Sequence, residues 1–121
     1  MNKLLLGIII VLIVLLISYT FFSANKVSSD NAKKMIESGK IKHIIDVRTD
    51  TEWDLGHYDG AIHITVMEIS KKSLEDNKIN KTDGILVYCN TGQRARYAAD
   101  KIKKLGYTKV FYIVRTYKSL E

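Results

Sequence analysis

Residues 85–95 read ILVYCNTGQRA, an apolar run followed by a cysteine, a glycine and an arginine. The run at 85–88 is typical of a buried strand. Residues 94–105 then repeat alanine, isoleucine and leucine at helical spacing, and Gly106 follows as a stop signal. The sequence therefore predicts a strand, a short loop and a helix, with Cys89 at the carboxyl end of the strand.

Three further apolar runs, at residues 43–47, 61–64 and 110–114, predict additional strands. Helices are predicted after a serine or aspartate cap at 28–30, ending at Gly39, and more weakly over 68–77. The polar stretch 71–83 is interpreted as a surface loop. Continuous apolar strands that alternate with helices indicate an α/β fold whose parallel sheet is covered on both faces.

The position of Cys89 favours chemistry, because ligands bind outside the carboxyl ends of parallel strands. A loop that leads into a helix can turn its N–H groups toward the sulfur, and this field favours the nucleophilic thiolate. Gly92 permits a tight turn, and Arg94 supplies a fixed positive charge. The alternative is that Cys89 is a small buried apolar side chain, as most free cysteines are.

Three stretches taken together resemble the rhodanese-like domain family in its single-domain form. They are IDVR at 45–48 followed by Glu52 and Trp53, GHYDGAIHI at 56–64, and CNTGQRA at 89–95. The resemblance implies an α/β fold with a central parallel sheet flanked by helices, and a sulfurtransferase that needs no cofactor. It also implies the roles of the site residues: Cys89 is catalytic, Asn90, Thr91, Gly92, Gln93 and Arg94 form the active-site loop, and Asp46 and Arg48 support it.

The reaction implied by the resemblance has two displacement steps. The thiolate takes a sulfane sulfur from a donor such as thiosulfate and becomes a persulfide, and a thiol or cyanide then removes that sulfur. Related cysteine-dependent phosphatases and arsenate reductases have a loop one residue longer than the one from Cys89 to Arg94. A lone cysteine also leaves no internal thiol for a reductase cycle.

Arg48 could instead form a surface ion pair with Glu52, and His57 could be structural or form a dyad with Cys89.

Two features depart from the family's pattern. Arg115 and Thr116 stand where many members have a Gly-Gly pair, and no proline follows residue 64. The closing helix after them is predicted to be a stub at most, which would leave part of one sheet face uncovered. These departures keep open a second hypothesis, in which the domain is a catalytically degenerate interaction module.

Composition sets outer limits on the function. The chain has 121 residues, one cysteine, no proline and a formal net charge of +6. One domain fits this length, and one cysteine excludes an internal disulfide or a multi-cysteine metal cluster. No metal site is predicted, because the three histidines lack ligand spacing. The lysines lack interleaved aromatics, so attraction to anionic lipid is favoured over nucleic acid.

Residues 4–22 read LLLGIIIVLIVLLISYTFF, without a single charge. A helix of this length matches the roughly 30 Å hydrocarbon core of a bilayer. We therefore predict a single-pass membrane anchor at 1–25 and the rhodanese-like domain at 26–121. A cleaved signal peptide and a buried core helix are the alternatives. Lysines following the run favour a cytoplasmic domain, whereas Lys3 at the amino end favours the opposite orientation.

Overall fold

A computed structural model of the protein describes residues 2–121, with the side chains of all of these except residues 20–22. Its centre is a parallel sheet of five strands in the order β1-β5-β4-β2-β3. The strands are β1 (Asn25–Lys26), β2 (His43–Asp46), β3 (Ile62–His63), β4 (Gly84–Tyr88) and β5 (Lys109–Tyr112). The predicted parallel α/β fold is confirmed.

Helices cover both faces of the sheet. Side chains alternate between the two faces along each strand, so the sheet packs against helices on both sides. The helices are α1 (Lys3–Phe22), α2 (Ser29–Glu37), α3 (Asp50–Asp54), α4 (Lys71–Asp76) and α5 (Gln93–Lys104). On one face Ile85 and Val87 pack with the alanines of α5. On the other face Leu86 and Tyr88 pack with Ala32 of α2.

The predicted strands and long helices are present within one or two residues of their expected ends. Two elements were missed. The edge strand β1 is polar and its pairing with β5 is made by the backbone alone, and α3 is too short to show a period. The weak helix predicted at 68–77 divides into a 3₁₀ turn, Val66–Glu68, and α4, which also occupies part of the predicted loop at 71–83.

The sheet face near the carboxyl terminus is covered, which corrects the expectation of an open face. A 3₁₀ turn at Tyr117–Leu120 packs beside α2, and Leu120 is only 5% exposed. The side-chain hydroxyl of Ser29 donates a hydrogen bond to that of Ser119 at 2.7 Å and joins the two elements. A single turn is sufficient here because α2 supplies the rest of the cover.

Helix α1 carries exposed apolar side chains along its described length, from Leu4 to Tyr19. No helix is long and apolar enough to cross a membrane within the residues that the structure describes. The prediction of a transmembrane helix over 4–22 is therefore not confirmed, and the side chains at its end, 20–22, lie outside the described residues. The backbone N–H of Ala24 donates to Asp100 of α5 at 2.8 Å, which fixes the chain where it enters the sheet.

Candidate active site

Cys89 lies directly after β4, at the carboxyl edge of the sheet, and is 1% exposed. Its Sγ atom accepts hydrogen bonds from the backbone N–H groups of Gly92, at 3.2 Å, and Ala95, at 3.4 Å. Both donors and the amino end of α5 stabilise negative charge on the sulfur. The predicted arrangement of loop N–H groups around the sulfur is therefore present in the structure.

Only glycine fits at position 92 of the loop. Gly92 has φ +96°, and a Cβ atom there would lie 2.7–2.9 Å from atoms of Val114. As the N-cap of α5, Gly92 has no side chain to accept a helix N–H group. Sγ of Cys89 takes that place by accepting from Ala95, the third residue of α5, as a capping serine or aspartate would.

Arg94 is bound by a carboxylate that the sequence interpretation did not assign to the site. Its Nη1 and Nη2 atoms donate to Oε1 and Oε2 of Glu52 at 2.6 and 3.0 Å. The amide of Asn90 donates to the same carboxylate at 2.6 Å. Glu52 therefore binds the loop at Asn90, next to the cysteine, and at Arg94, where the helix begins. The hydrogen bonds with Glu52 raise the pKa of Arg94, and the positive charge of Arg94 is paired with this carboxylate.

Glu52 is fixed by its own short helix. Thr49 and Glu52 form a capping box at the start of α3, in which each side chain accepts from the other residue's backbone N–H. The hydrogen bonds from Arg94, with those from Thr49, lower the pKa of Glu52 to about 2. The signal for this residue was present in the sequence as threonine followed three positions later by glutamate.

Asp46 and Arg48 form a buried ion pair, so the alternative of a surface pair between Arg48 and Glu52 is wrong. They are 0% and 5% exposed. Arg48 donates from Nη2 to Asp46 at 2.7 Å and to the carbonyl oxygen of Gly56 at 2.6 Å. The Tyr88 hydroxyl donates to Asp46 at 2.6 Å and accepts from the Tyr58 N–H at 3.1 Å. Burial, together with this bond to Asp46, raises the pKa of Tyr88 above its ordinary value.

The cluster formed by Asp46, Arg48 and Tyr88 joins the carboxyl ends of β2 and β4 directly beneath the loop, because Tyr88 precedes Cys89. Its described contacts go to one another, to neighbouring backbone and to the ring of Tyr117 rather than to the sulfur. A supporting role for Asp46 and Arg48 remains a prediction.

His57 takes part in a stack of rings. Trp53 stacks with His57, at a centroid distance of 3.4 Å, and with His63, at 4.7 Å, and the ring planes are nearly parallel. His57 Nδ1 lies 2.9 Å from the carbonyl oxygen of Trp53, and His63 Nε2 lies 2.8 Å from that of Arg48. These contacts favour the structural interpretation of His57 over a dyad with Cys89.

Two open depressions flank the loop and share Val114. The first, of about 500 Å³, is lined on the α5 side by residues that include Lys26, Arg96 and Asp100. The second, of about 520 Å³, is lined by Asn90, Val114, Arg115, Thr116, Lys118 and Ser119. Basic side chains line both depressions, and the residues that line them include Asn90, Thr91, Gly92 and Gln93 of the loop but not Cys89 itself.

The chain is similar in sequence to known proteins. A model of the rhodanese-like domain matches residues 28–120. The putative sulfur carrier protein YrkF of Bacillus subtilis is 33% identical over 92 residues, which cover 76% of this chain and 48% of YrkF. The thiosulfate sulfurtransferase PspE of Escherichia coli K12 is 35% identical over 69 residues, covering 57% of this chain and 65% of PspE.

Solved structures show the same fold. The human single-domain sulfurtransferase TSTD1 superposes with a TM-score of 0.68 at 24% identity, covering 79% of this chain and 94% of TSTD1. The wild-type structure of EanB superposes with a TM-score of 0.64 at 21% identity, covering 78% of this chain and 25% of EanB.

A matching domain model over most of the chain defines a protein of the rhodanese-like class. The chain belongs to the rhodanese-like domain family, which confirms the resemblance noted from the sequence. It spans about half the length of YrkF and 65% of that of PspE.

Proposed function

We propose that the protein is a sulfurtransferase that carries sulfane sulfur as a persulfide on Cys89. The observation that carries this proposal is the contact of Sγ with the N–H groups of Gly92 and Ala95, at 3.2 and 3.4 Å. Glu52 holds the loop that makes these contacts by accepting hydrogen bonds from Asn90 and Arg94. A thiolate held by fixed donors is ready to react without rearrangement of the loop.

The chemistry consists of two displacements at sulfur. The Cys89 thiolate attacks the sulfane sulfur of thiosulfate, a new S–S bond forms, and sulfite leaves with the electron pair of the broken S–S bond. Cyanide or a cellular thiolate then attacks the outer sulfur, and the Cys89 thiolate leaves. The N–H groups of Gly92 and Ala95 face the sulfur whenever it bears negative charge, at the start and end of the cycle.

The relatives support this chemistry. YrkF is described as a sulfur carrier and PspE as a thiosulfate sulfurtransferase. Four residues separate Cys89 from Arg94, the shorter loop that separates this class from the phosphatase and reductase relatives. The proposed donor and acceptor are chemical classes, an anionic sulfane donor and a thiol.

The test is formation of thiocyanate by the purified full chain in neutral detergent, given thiosulfate and cyanide. Turnover by the wild type and none by Cys89→Ser is expected, because serine cannot carry the sulfur. Turnover no greater than that of Cys89→Ser would overturn the proposal and favour the non-catalytic interaction module.

We also propose that residues 1–25 attach the protein to a membrane in a single pass, with the domain at 26–121 on the cytoplasmic face. The uncharged stretch 4–22 and the exposed apolar side chains of α1 support attachment. The lysines that follow the stretch, beginning with Lys26, support the orientation.

Membrane attachment is tested by alkaline extraction of membranes that contain the full chain. Val11→Arg with Val14→Arg is expected to release most of the protein, because two arginines near the helix centre cost about 5–7 kcal/mol of insertion. The matched control adds the same charge to two exposed apolar positions of the domain, Leu55→Arg with Met67→Arg. Extraction of the wild type and the double variant to the same extent would contradict attachment. Protease protection in sealed vesicles then reports the side.

A further inference from the structure

The two arginines predicted at the site both form ion pairs with carboxylates. Arg94 donates to both oxygens of Glu52, and Arg48 donates to Asp46 and to a backbone carbonyl. An anionic sulfur donor such as thiosulfate therefore meets no unpaired guanidinium among these two. Unpaired positive charge that could attract it is carried by other residues around the loop.

The two depressions beside the loop differ in their charges. The first contains Lys26 and Arg96 but also the carboxylate of Asp100, which opposes an anion. The second contains Arg115 and Lys118, and none of its lining residues is acidic. Arg115 also lines a neighbouring depression that contains Asp30. Within the described part of the chain, neither of these two cations takes part in an ion pair.

The second depression also includes a residue of the active-site loop. Asn90, which follows Cys89 in sequence, forms part of its wall, and the Asn90 amide is fixed by Glu52 at 2.6 Å. Arg115 and Thr116 follow β5 and stand where many family members carry a Gly-Gly pair.

We propose that Arg115 and Lys118 form an anion subsite for the sulfur donor, in the depression lined by Asn90 and Val114. This inference rests on the proposed sulfurtransferase function and names the residues that bind its donor, a small oxyanion that bears a sulfane sulfur. The oxyanion end binds the two cations while its sulfane sulfur reaches Cys89. Attraction between opposite charges at a partly exposed site is reduced by salt, so the affinity depends on ionic strength.

The test measures thiosulfate binding by calorimetry to the full chain carrying Cys89→Ser, which cannot turn over. Adding Arg115→Gln or Lys118→Gln is expected to weaken binding by roughly 3–10-fold each, as loss of one partly screened charge contact implies. The matched controls, Arg96→Gln and Lys26→Gln in the first depression, are expected to change it by less than about 2-fold. Raising the salt concentration is expected to reduce the difference between test and control variants.

The inference is overturned if Arg115→Gln and Lys118→Gln bind thiosulfate as tightly as the controls, or if no saturable binding occurs at all. Thiocyanate formation by variants that retain Cys89 tests the proposed function separately. Turnover that is insensitive to Arg115 keeps the function and removes the subsite. Binding that depends on Arg115 without turnover keeps the subsite and removes the function.

Discussion

Arg94 donates hydrogen bonds from its two terminal guanidinium nitrogens, Nη1 and Nη2, to the two carboxylate oxygens of Glu52, at 2.6 and 3.0 Å. The pair joins the first turn of α5 to α3, two elements that are far apart in sequence. Because Asn90 donates to the same carboxylate, Glu52 binds the loop on both sides of the turn at Gly92. The position of Cys89 Sγ relative to its two N–H donors depends on this loop conformation.

Loss of this carboxylate is expected to loosen the loop. Glu52→Gln should lower kcat/KM about tenfold, because small misplacement of a reacting group is costly. It should lower the free energy of unfolding by only about 1 kcal/mol, because the pair is partly exposed and screened by solvent. Steady-state thiocyanate assays and urea unfolding measure the two effects. The control is Glu75→Gln, an exposed glutamate on α4, and equal activity in the two variants would contradict this role.

The same residue predicts an acid dependence of stability. The pKa of Glu52 is about 2 in the folded protein, against an ordinary value of 4.5. A lowered carboxyl pKa stabilises the fold above pH 4.5, and this contribution is lost as the pH falls from 4.5 toward 2. The difference in unfolding free energy between wild type and Glu52→Gln should therefore be larger at about pH 7 than at about pH 3. A difference that does not change between these two pH values would show that the carboxylate is not held as described.

Gly92 should tolerate no side chain. Gly92→Ala combines a positive φ with a clash against Val114, and should cost about 2–4 kcal/mol of stability together with most of the activity. Gly39→Ala separates the two causes, since Gly39 has φ +80° and nothing within 4 Å of an added Cβ. It should cost about 1–2 kcal/mol and leave kcat/KM unchanged. Thermal unfolding measures the loss of stability, and thiocyanate formation measures the activity. Equal losses of stability in Gly92→Ala and Gly39→Ala would show that the contact with Val114 is unimportant.

The buried hydroxyl beneath the loop should matter mainly for stability. Tyr88→Phe removes a donor from the buried carboxylate of Asp46, and should cost about 1–3 kcal/mol. Tyr107→Phe is the control, a buried tyrosine 2% exposed that lies away from this cluster. Chemical unfolding of both variants measures the difference. A smaller loss for Tyr88→Phe than for Tyr107→Phe would contradict the importance of the bond to Asp46.

The sequence predicted the parts of the fold that depend on local pattern. The apolar run ending at Tyr88, the helical repeat of α5 and the cysteine between them were all recognisable. The strand β1 was not, because its residues are polar and only the backbone of β5 makes it a strand. The closing turn at Tyr117–Leu120 is the stub that was predicted. Its cover of the sheet face was not predicted, because that cover depends on Leu120 and Tyr117 packing with Ala32 of α2.

The site was predicted less completely, because its contacts join residues that are distant in sequence. Cys89, Gly92 and Arg94 could be chosen from one short segment. The partner of Arg94 lies 42 positions away, and Arg48 had both Asp46 and Glu52 as possible partners. Only the fold shows that Arg48 pairs with Asp46 and Arg94 with Glu52.

The most direct test of sulfur transfer through Cys89 is the intact mass of the full chain after incubation with thiosulfate and removal of small molecules. We predict a gain of one sulfur atom on the wild type, its loss after addition of cyanide, and no gain on Cys89→Ser. An unchanged wild-type mass, or an equal gain on Cys89→Ser, would contradict the central claim that Cys89 carries the transferred sulfur.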